Sequence, residues 1–104
     1  MTIGTHRVIL GGRPKEILWD AEKDALLRTQ RGVGFEQVAK IIELDAYIKI
    51  VNHWNRIRYP EQRVFVLGIE GYAYYVPFIE TPALVFLKTV FPSRKATKLY
   101  LKGH

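Results

Sequence analysis

Gln62-Arg63-Val64-Phe65-Val66-Leu67-Gly68-Ile69-Glu70-Gly71-Tyr72-Ala73-Tyr74-Tyr75-Val76-Pro77-Phe78-Ile79-Glu80 is the stretch that decides the fold. It is rich in β-branched and aromatic residues and is interrupted at Glu70-Gly71. It therefore predicts two strands, over 62–70 and 72–80, joined as a hairpin. Hairpin strands are antiparallel neighbours. Before them, 47–53 reads as a strand and 54–60 as a polar, aromatic-rich loop. After them, Thr81-Pro82 breaks the chain, 84–91 gives a fourth strand, and Ser93 is a natural cap for a short C-terminal helix.

Upstream the periodicity is helical. Asp20 can cap a helix with Glu22 and Asp24 in its first turn and Arg28 and Arg31 in its last, stopped by Gly32. Asp24 and Arg28 are spaced to pair across one turn. After Gly34, the residues Phe35, Val38, Ala39 and Ile42 recur as one apolar face. Residues 1–15, with Gly4, Gly11, Gly12 and Pro14, show little periodicity and read as a flexible leader or arm, with room for a short strand over 7–10. The expected fold is α+β in the order ααββββα. It is a helical hairpin packed on a four-stranded antiparallel sheet with a short C-terminal helix, as a single domain over 16–104.

The chain has 104 residues, enough for one hydrophobic core. It has no cysteine, which excludes disulfides and thiolate metal sites. His6, His53 and His104 are far apart in sequence, so neither a metal site nor a cofactor is expected. Val8-Ile9-Leu10 runs straight into Gly11-Gly12-Arg13-Pro14, too short for the apolar core of a signal peptide. The longest apolar run, 72–79, is far below a membrane span. These features point to a soluble, cytoplasmic protein with no membrane partner.

Charge is distributed unevenly. Residues 16–45 carry four Lys/Arg against seven Asp/Glu, whereas residues 46–104 carry nine against three, within a net charge of +6. A basic second half suits an anionic partner, RNA first among them. Two segments could form the working surface. Around Pro92-Ser93-Arg94-Lys95-Ala96-Thr97-Lys98, two cations occupy the first turn of a helix, against the dipole rule that the first helix obeys. Free amides, a serine hydroxyl and Arg94 with Lys95 would cradle a phosphate there, with Lys98 beside them. The plainer reading is a solvated helix docked through Ala96, Leu99 and Tyr100. The second segment, His53-Trp54-Asn55-Arg56-Ile57-Arg58-Tyr59-Pro60, interleaves arginines with rings, which suits phosphates and unpaired bases. Its plainer reading is a loop with Trp54 and Tyr59 on the core rim. Arg63 and Lys88 are each placed to keep a charged head in water at a sheet margin, or to border an anion site together with Arg94. No metal-ligand cluster, glycine-rich phosphate loop or nucleophile elbow is present.

Four motifs occur in order: Trp19-Asp20 opening a helix with Lys23, then Arg31-Gly32-Val33-Gly34-Phe35-Glu36, then Arg63 leading a strand to Leu67-Gly68, then Ser93-Arg94-Lys95-Ala96-Thr97. Together, over residues 17–102, they resemble BrnT-type toxins of bacterial type II toxin–antitoxin systems, small ribonucleases of the wider RelE/ParE-like group. The resemblance implies a metal-independent endoribonuclease that inhibits translation and growth. In such chemistry a ribose 2′-hydroxyl attacks the adjacent phosphodiester while the protein supplies charge and proton transfer. By matching positions, Arg63 and Arg94 would stabilise the phosphate, with Lys95 a weaker addition; Arg56, Arg58, Lys88, Lys95 and Lys98, read from the residues themselves, are the RNA-binding candidates. His53, Tyr59 and Glu80 are chemically able to move the proton, and no motif selects one. The implied partner is a cognate antitoxin, a small ribbon-helix-helix DNA-binding protein, held in a hetero-oligomer. The chain departs from the family pattern at Gln30-Arg31-Gly32, where Lys-His-Gly is usual, and at Pro92-Ser93-Arg94, where Ser-Ala-Arg is usual. Competing readings are a non-catalytic module that binds RNA or an acidic protein, and a toxin that poisons a protein target such as DNA gyrase.

Overall fold

The hairpin at Gly71 forms as its residues dictate. In the computed structural model, which describes residues 2–101, Glu70 and Gly71 both adopt positive φ, 52° and 79°. This is the pairing that a two-residue turn between twisted strands needs. Around it the chain builds β1 (Ile3–Leu10), β2 (Arg13–Asp20), α1 (Ala21–Arg31), α2 (Phe35–Glu43), β3 (Lys49–Asn52), β4 (Arg63–Ile69), β5 (Tyr72–Glu80), β6 (Leu84–Leu87), β7 (Phe91–Pro92) and α3 (Arg94–Tyr100). One seven-stranded sheet results, in the order β1-β2-β6-β5-β4-β3, with β7 pairing β5.

The sheet corrects the expected four-stranded antiparallel one. It is mixed, because β2 pairs β6 in parallel through Glu16–Leu84, Ile17–Val85 and Leu18–Phe86. It is also larger, because the segment expected as a leader supplies β1 and the start of β2. Gly11 and Gly12 both take positive φ, 61° and 78°, so they form a two-residue hairpin loop and not a loose break. Eight residue pairs, from Ile3–Asp20 to Leu10–Arg13, follow from that turn. Val8, Leu10, Ile17 and Trp19 bury their side chains on one side of this hairpin. The fourth expected strand, over 84–91, is divided: β6 ends at Leu87, and β7 crosses to pair Phe91 with Tyr75.

Both predicted helices of the hairpin are present with their caps. Asp20 accepts hydrogen bonds from the Glu22 and Lys23 amides, and Gly32 closes α1 at φ 70°. Asp24 reaches further than its own helix: one oxygen accepts from Arg28 Nε at 3.2 Å, the other from the Phe35 amide at 2.7 Å, capping α2 from α1. Arg31, standing where the resembled family carries histidine, donates from its guanidinium to the Val90 carbonyl and ties α1 to the β6–β7 connection.

Two layers cover the sheet. On one face, Leu27, Val33, Phe35, Val38, Ala39 and Ile42 of the helical hairpin meet Ile17, Trp19, Phe65, Leu67, Val76, Phe78, Val85 and Leu87. Phe65 and Phe78 stack with centroids 4.3 Å apart at its centre. On the other face, Val66, Ala73 and Ala96 form a small cluster with Val51, Tyr75 and Tyr100. Thus α3 lies opposite the helical hairpin and covers only one end of its face. Among the described residues, no helix is long and apolar enough to cross a membrane.

Candidate nucleic-acid interface

Side chains alternate along a strand, so each sheet residue is assigned to a face by its neighbours. Arg63 shares the face of Phe65, Leu67 and Ile69, that is, the face of the helical hairpin. Arg94 opens α3 on the other face. Along the strand they are separated as well. Arg63 sits opposite Phe78, whereas the Ser93 amide bonds the Ala73 carbonyl, five residues away and roughly 17 Å at about 3.3 Å per residue. The structure therefore does not bring Arg63, Arg94 and Lys95 to one phosphate.

Arg63 has a partner of its own. Its Nε donates to Glu80 Oε1 at 3.0 Å, its NH2 contacts the same oxygen, and its guanidinium lies 5.5 Å from the Phe78 ring centroid. The other Glu80 oxygen accepts from Lys15 Nζ at 2.8 Å, and Lys15 also donates to the Thr81 carbonyl. Burial alone would push the Glu80 carboxyl up. The hydrogen bonds and charges of Lys15 and Arg63 outweigh it together and hold that carboxyl below the ordinary carboxylate range. One ionised carboxylate bridging two cations joins β2, β4 and β5. It is a structural tie, and it makes Glu80 a poor proton carrier for a site on the opposite face. Nearby Tyr47 packs edge-on to Phe65, and burial first, then Asp45, raises its hydroxyl pKa.

The Ser93–Thr97 motif is also largely committed to packing. Ser93 Oγ accepts from the Ala96 amide at 3.0 Å, so its hydroxyl caps α3 and does not await a phosphate. Thr97 Oγ1 donates to the Ser93 carbonyl at 2.7 Å and accepts from the Ala73 amide at 2.8 Å, fastening α3 to β5. Arg94, Lys95 and Lys98 remain exposed on the outer side of the helix.

The face opposite the helical hairpin holds the densest group of candidate residues. His53 continues β3 on the side of Val51, is 6% exposed, and lies under Trp54 with ring centroids 4.1 Å apart and planes 29° apart. Tyr59 packs against His53 at 4.7 Å. Trp54, Tyr75 and Phe91 then form a triangle, with centroids 5.5 to 5.8 Å apart. No sequence motif selects Tyr75 or Phe91. Only the register that sets β7 against β5 brings Phe91 to Tyr75. Adjacent Tyr74 points the other way, into the main core.

Cations share this face. Arg58 lies over Tyr59 at 5.5 Å and Arg56 is exposed beside it. Lys88 lies over Phe86 at 5.5 Å, on the same face by the alternation of Val85 and Leu87 into the core. Arg94 follows Phe91 by three residues. The His53 Nδ1 accepts from the Asn55 amide at 3.0 Å, so in the neutral ring the proton resides on Nε2. Chemically, this surface offers flat apolar rings for bases, guanidinium and ammonium groups for phosphates, and one imidazole beneath.

A cleft of about 610 Å³ lies at the hairpin edge of the sheet, walled by Arg7, Ile9, Pro14, Glu43 and Leu84, and contains none of the candidate residues. Among the described residues, no three His, Cys, Asp or Glu side chains are grouped to hold a metal ion. His104 lies outside the described residues. Comparison with protein-family models, with curated proteins and with solved structures yields no match.

Proposed function

We propose that this chain is the toxin of a two-component toxin–antitoxin system, an endoribonuclease that engages single-stranded RNA on the sheet face opposite its helical hairpin. The observation that carries the RNA reading is the cluster of Trp54, Tyr75, Phe91, His53 and Tyr59, with Arg58 over Tyr59 and the exposed cations Arg56, Lys88 and Arg94 on the same face. Rings and cations on one face give stacking and phosphate neutralisation together, a combination that a plain packing role does not require. Cleavage, growth inhibition and the antitoxin partner rest on the sequence resemblance. Of the three groups able to transfer a proton, the geometry favours His53 with Tyr59, which lie on this face, over Glu80, which does not. Arg94 and Arg58 are the cations available to the phosphate there, and Arg63 acts on the opposite face as a tie.

The test is cleavage of a single-stranded RNA by purified chain free of antitoxin. The proposal expects wild type and Arg63→Ala to cut at similar rates below their melting temperatures, and Arg58→Ala and His53→Gln to lose at least roughly tenfold. Wild-type protein that leaves RNA intact overturns the enzyme. A second reading, an RNA-binding module without cleavage, is favoured by one observation: His53 is almost covered by Trp54. That reading expects salt-sensitive binding with no product.

A further inference from the structure

The loop between His53 and Gln62 presents Ile57 at its tip, 98% exposed, between exposed Arg56 and Arg58. A bare isoleucine on a floppy loop would need no account. This loop is held along its length. The His53 amide donates to the Gln62 carbonyl at 3.2 Å, the Asn55 amide to His53 Nδ1, and the Arg58 amide to Asn55 Oδ1 at 3.1 Å. The Tyr59 amide then donates to the Asn55 carbonyl at 2.9 Å, and the Gln62 amide to the Tyr59 carbonyl at 3.2 Å. Its conformation is thus largely set before any partner arrives, so little ordering entropy is lost on binding. Trp54, at its base, is 60% exposed, with its ring stacked on His53 and flanked by Tyr75 and Phe91.

We infer that this loop is a preformed wedge and platform for stacked single-stranded RNA: Ile57 inserts between two neighbouring bases, and Trp54 receives the base so freed. The inference rests on the RNA reading of this face and deepens it by naming the substrate form. Apolar side chains that part base steps work in this way, carried by flanking cations on the phosphates. Arg56 and Arg58 stand at those flanking positions. Trp54 offers the replacement stacking that offsets the lost base–base contact.

Stacked and unstacked strands separate the wedge from ordinary binding. Oligoadenylate stacks on itself and oligouridylate scarcely does, so only the first has a step to part. Binding of each to wild type, Ile57→Ala and Trp54→Ala is measured by fluorescence anisotropy, with circular dichroism confirming the fold. The wedge expects Ile57→Ala to weaken oligoadenylate roughly tenfold and leave oligouridylate within twofold. Trp54→Ala should weaken both. Equal losses on the two strands, or none, overturn the wedge while the RNA reading stands. If wild type binds neither strand, both fail. Vesicles of anionic phospholipid form the last arm: wild-type binding that Ile57→Ala abolishes would make the tip a membrane contact and overturn the inference.

Discussion

Glu80 shows how far a single residue's role depends on distant partners. From sequence it is a carboxylate able to shuttle protons, and Arg63 a cation able to meet phosphate. In the fold each answers the other, and Lys15, 65 residues away in the chain, completes the set. No local pattern announces a partner at that separation. Because the Glu80 carboxyl is held below its ordinary value of 4.5, its contribution to stability is present above that pH and is lost as pH falls through the lowered value. Glu80→Gln should therefore melt below wild type at neutral pH, with the gap closing under acid. Thermal unfolding between pH 7 and pH 2.5 checks this, and a gap constant across that range would count against it. Gly4 is a second case. Trp19 lies directly across the β1–β2 pair, and a Cβ at position 4 would fall 2.0 Å from its indole nitrogen. Gly4→Ala should cost about 1–3 kcal/mol, read as a lowered urea midpoint with an unchanged slope.

Among the elements, those with strong local punctuation were legible in advance. Asp20 and Gly32 bound α1, the apolar spacing of Phe35 to Ile42 defines α2, and Glu70-Gly71 turns β4 into β5. The first hairpin is not legible from its sequence, because Gly11-Gly12 serves equally well as a break or as a hairpin loop. Its decisive evidence is non-local, namely the parallel pairing of β2 with β6. Removing residues 1–12 should thus do more than trim an arm. It strips Val8 and Leu10 from the core and bares the edge of β2, so the truncated chain should lose cooperative unfolding or aggregate. An unchanged melting curve would show that the hairpin is dispensable. The last helix is too short to persist alone and depends on its docking. Thr97→Val should leave the buried Ala73 amide without its acceptor and cost about 1–3 kcal/mol in denaturant unfolding.

At the scale of the whole molecule, the uneven charge of the sequence becomes a difference between two sheet faces. The acidic stretch 16–45 supplies the helical hairpin on one side. The basic second half places Arg56, Arg58, Lys88, Arg94 and Lys95 on the other, the face that also carries exposed Trp54 and half-buried Tyr59, Tyr75 and Phe91. The charge bias was visible in the sequence and so was the aromatic–arginine loop, but the face was not. Strand parity and register are needed to separate Arg63 from Arg94 and to add Tyr75 and Phe91. If three to five phosphates are neutralised on this face, the logarithm of RNA affinity should fall with the logarithm of salt at a slope between about −2 and −3.5. A flat dependence would deny the basic face its role. The most direct measurement of where RNA sits is an amide chemical-shift titration of the ¹⁵N-labelled chain with a single-stranded oligoribonucleotide. The account predicts that shifts concentrate at Trp54–Tyr59, Tyr75, Phe91 and Arg94–Lys95, and leave Lys15, Arg63, Glu80 and the helical hairpin still. Shifts centred on Arg63 and Glu80 instead would contradict it.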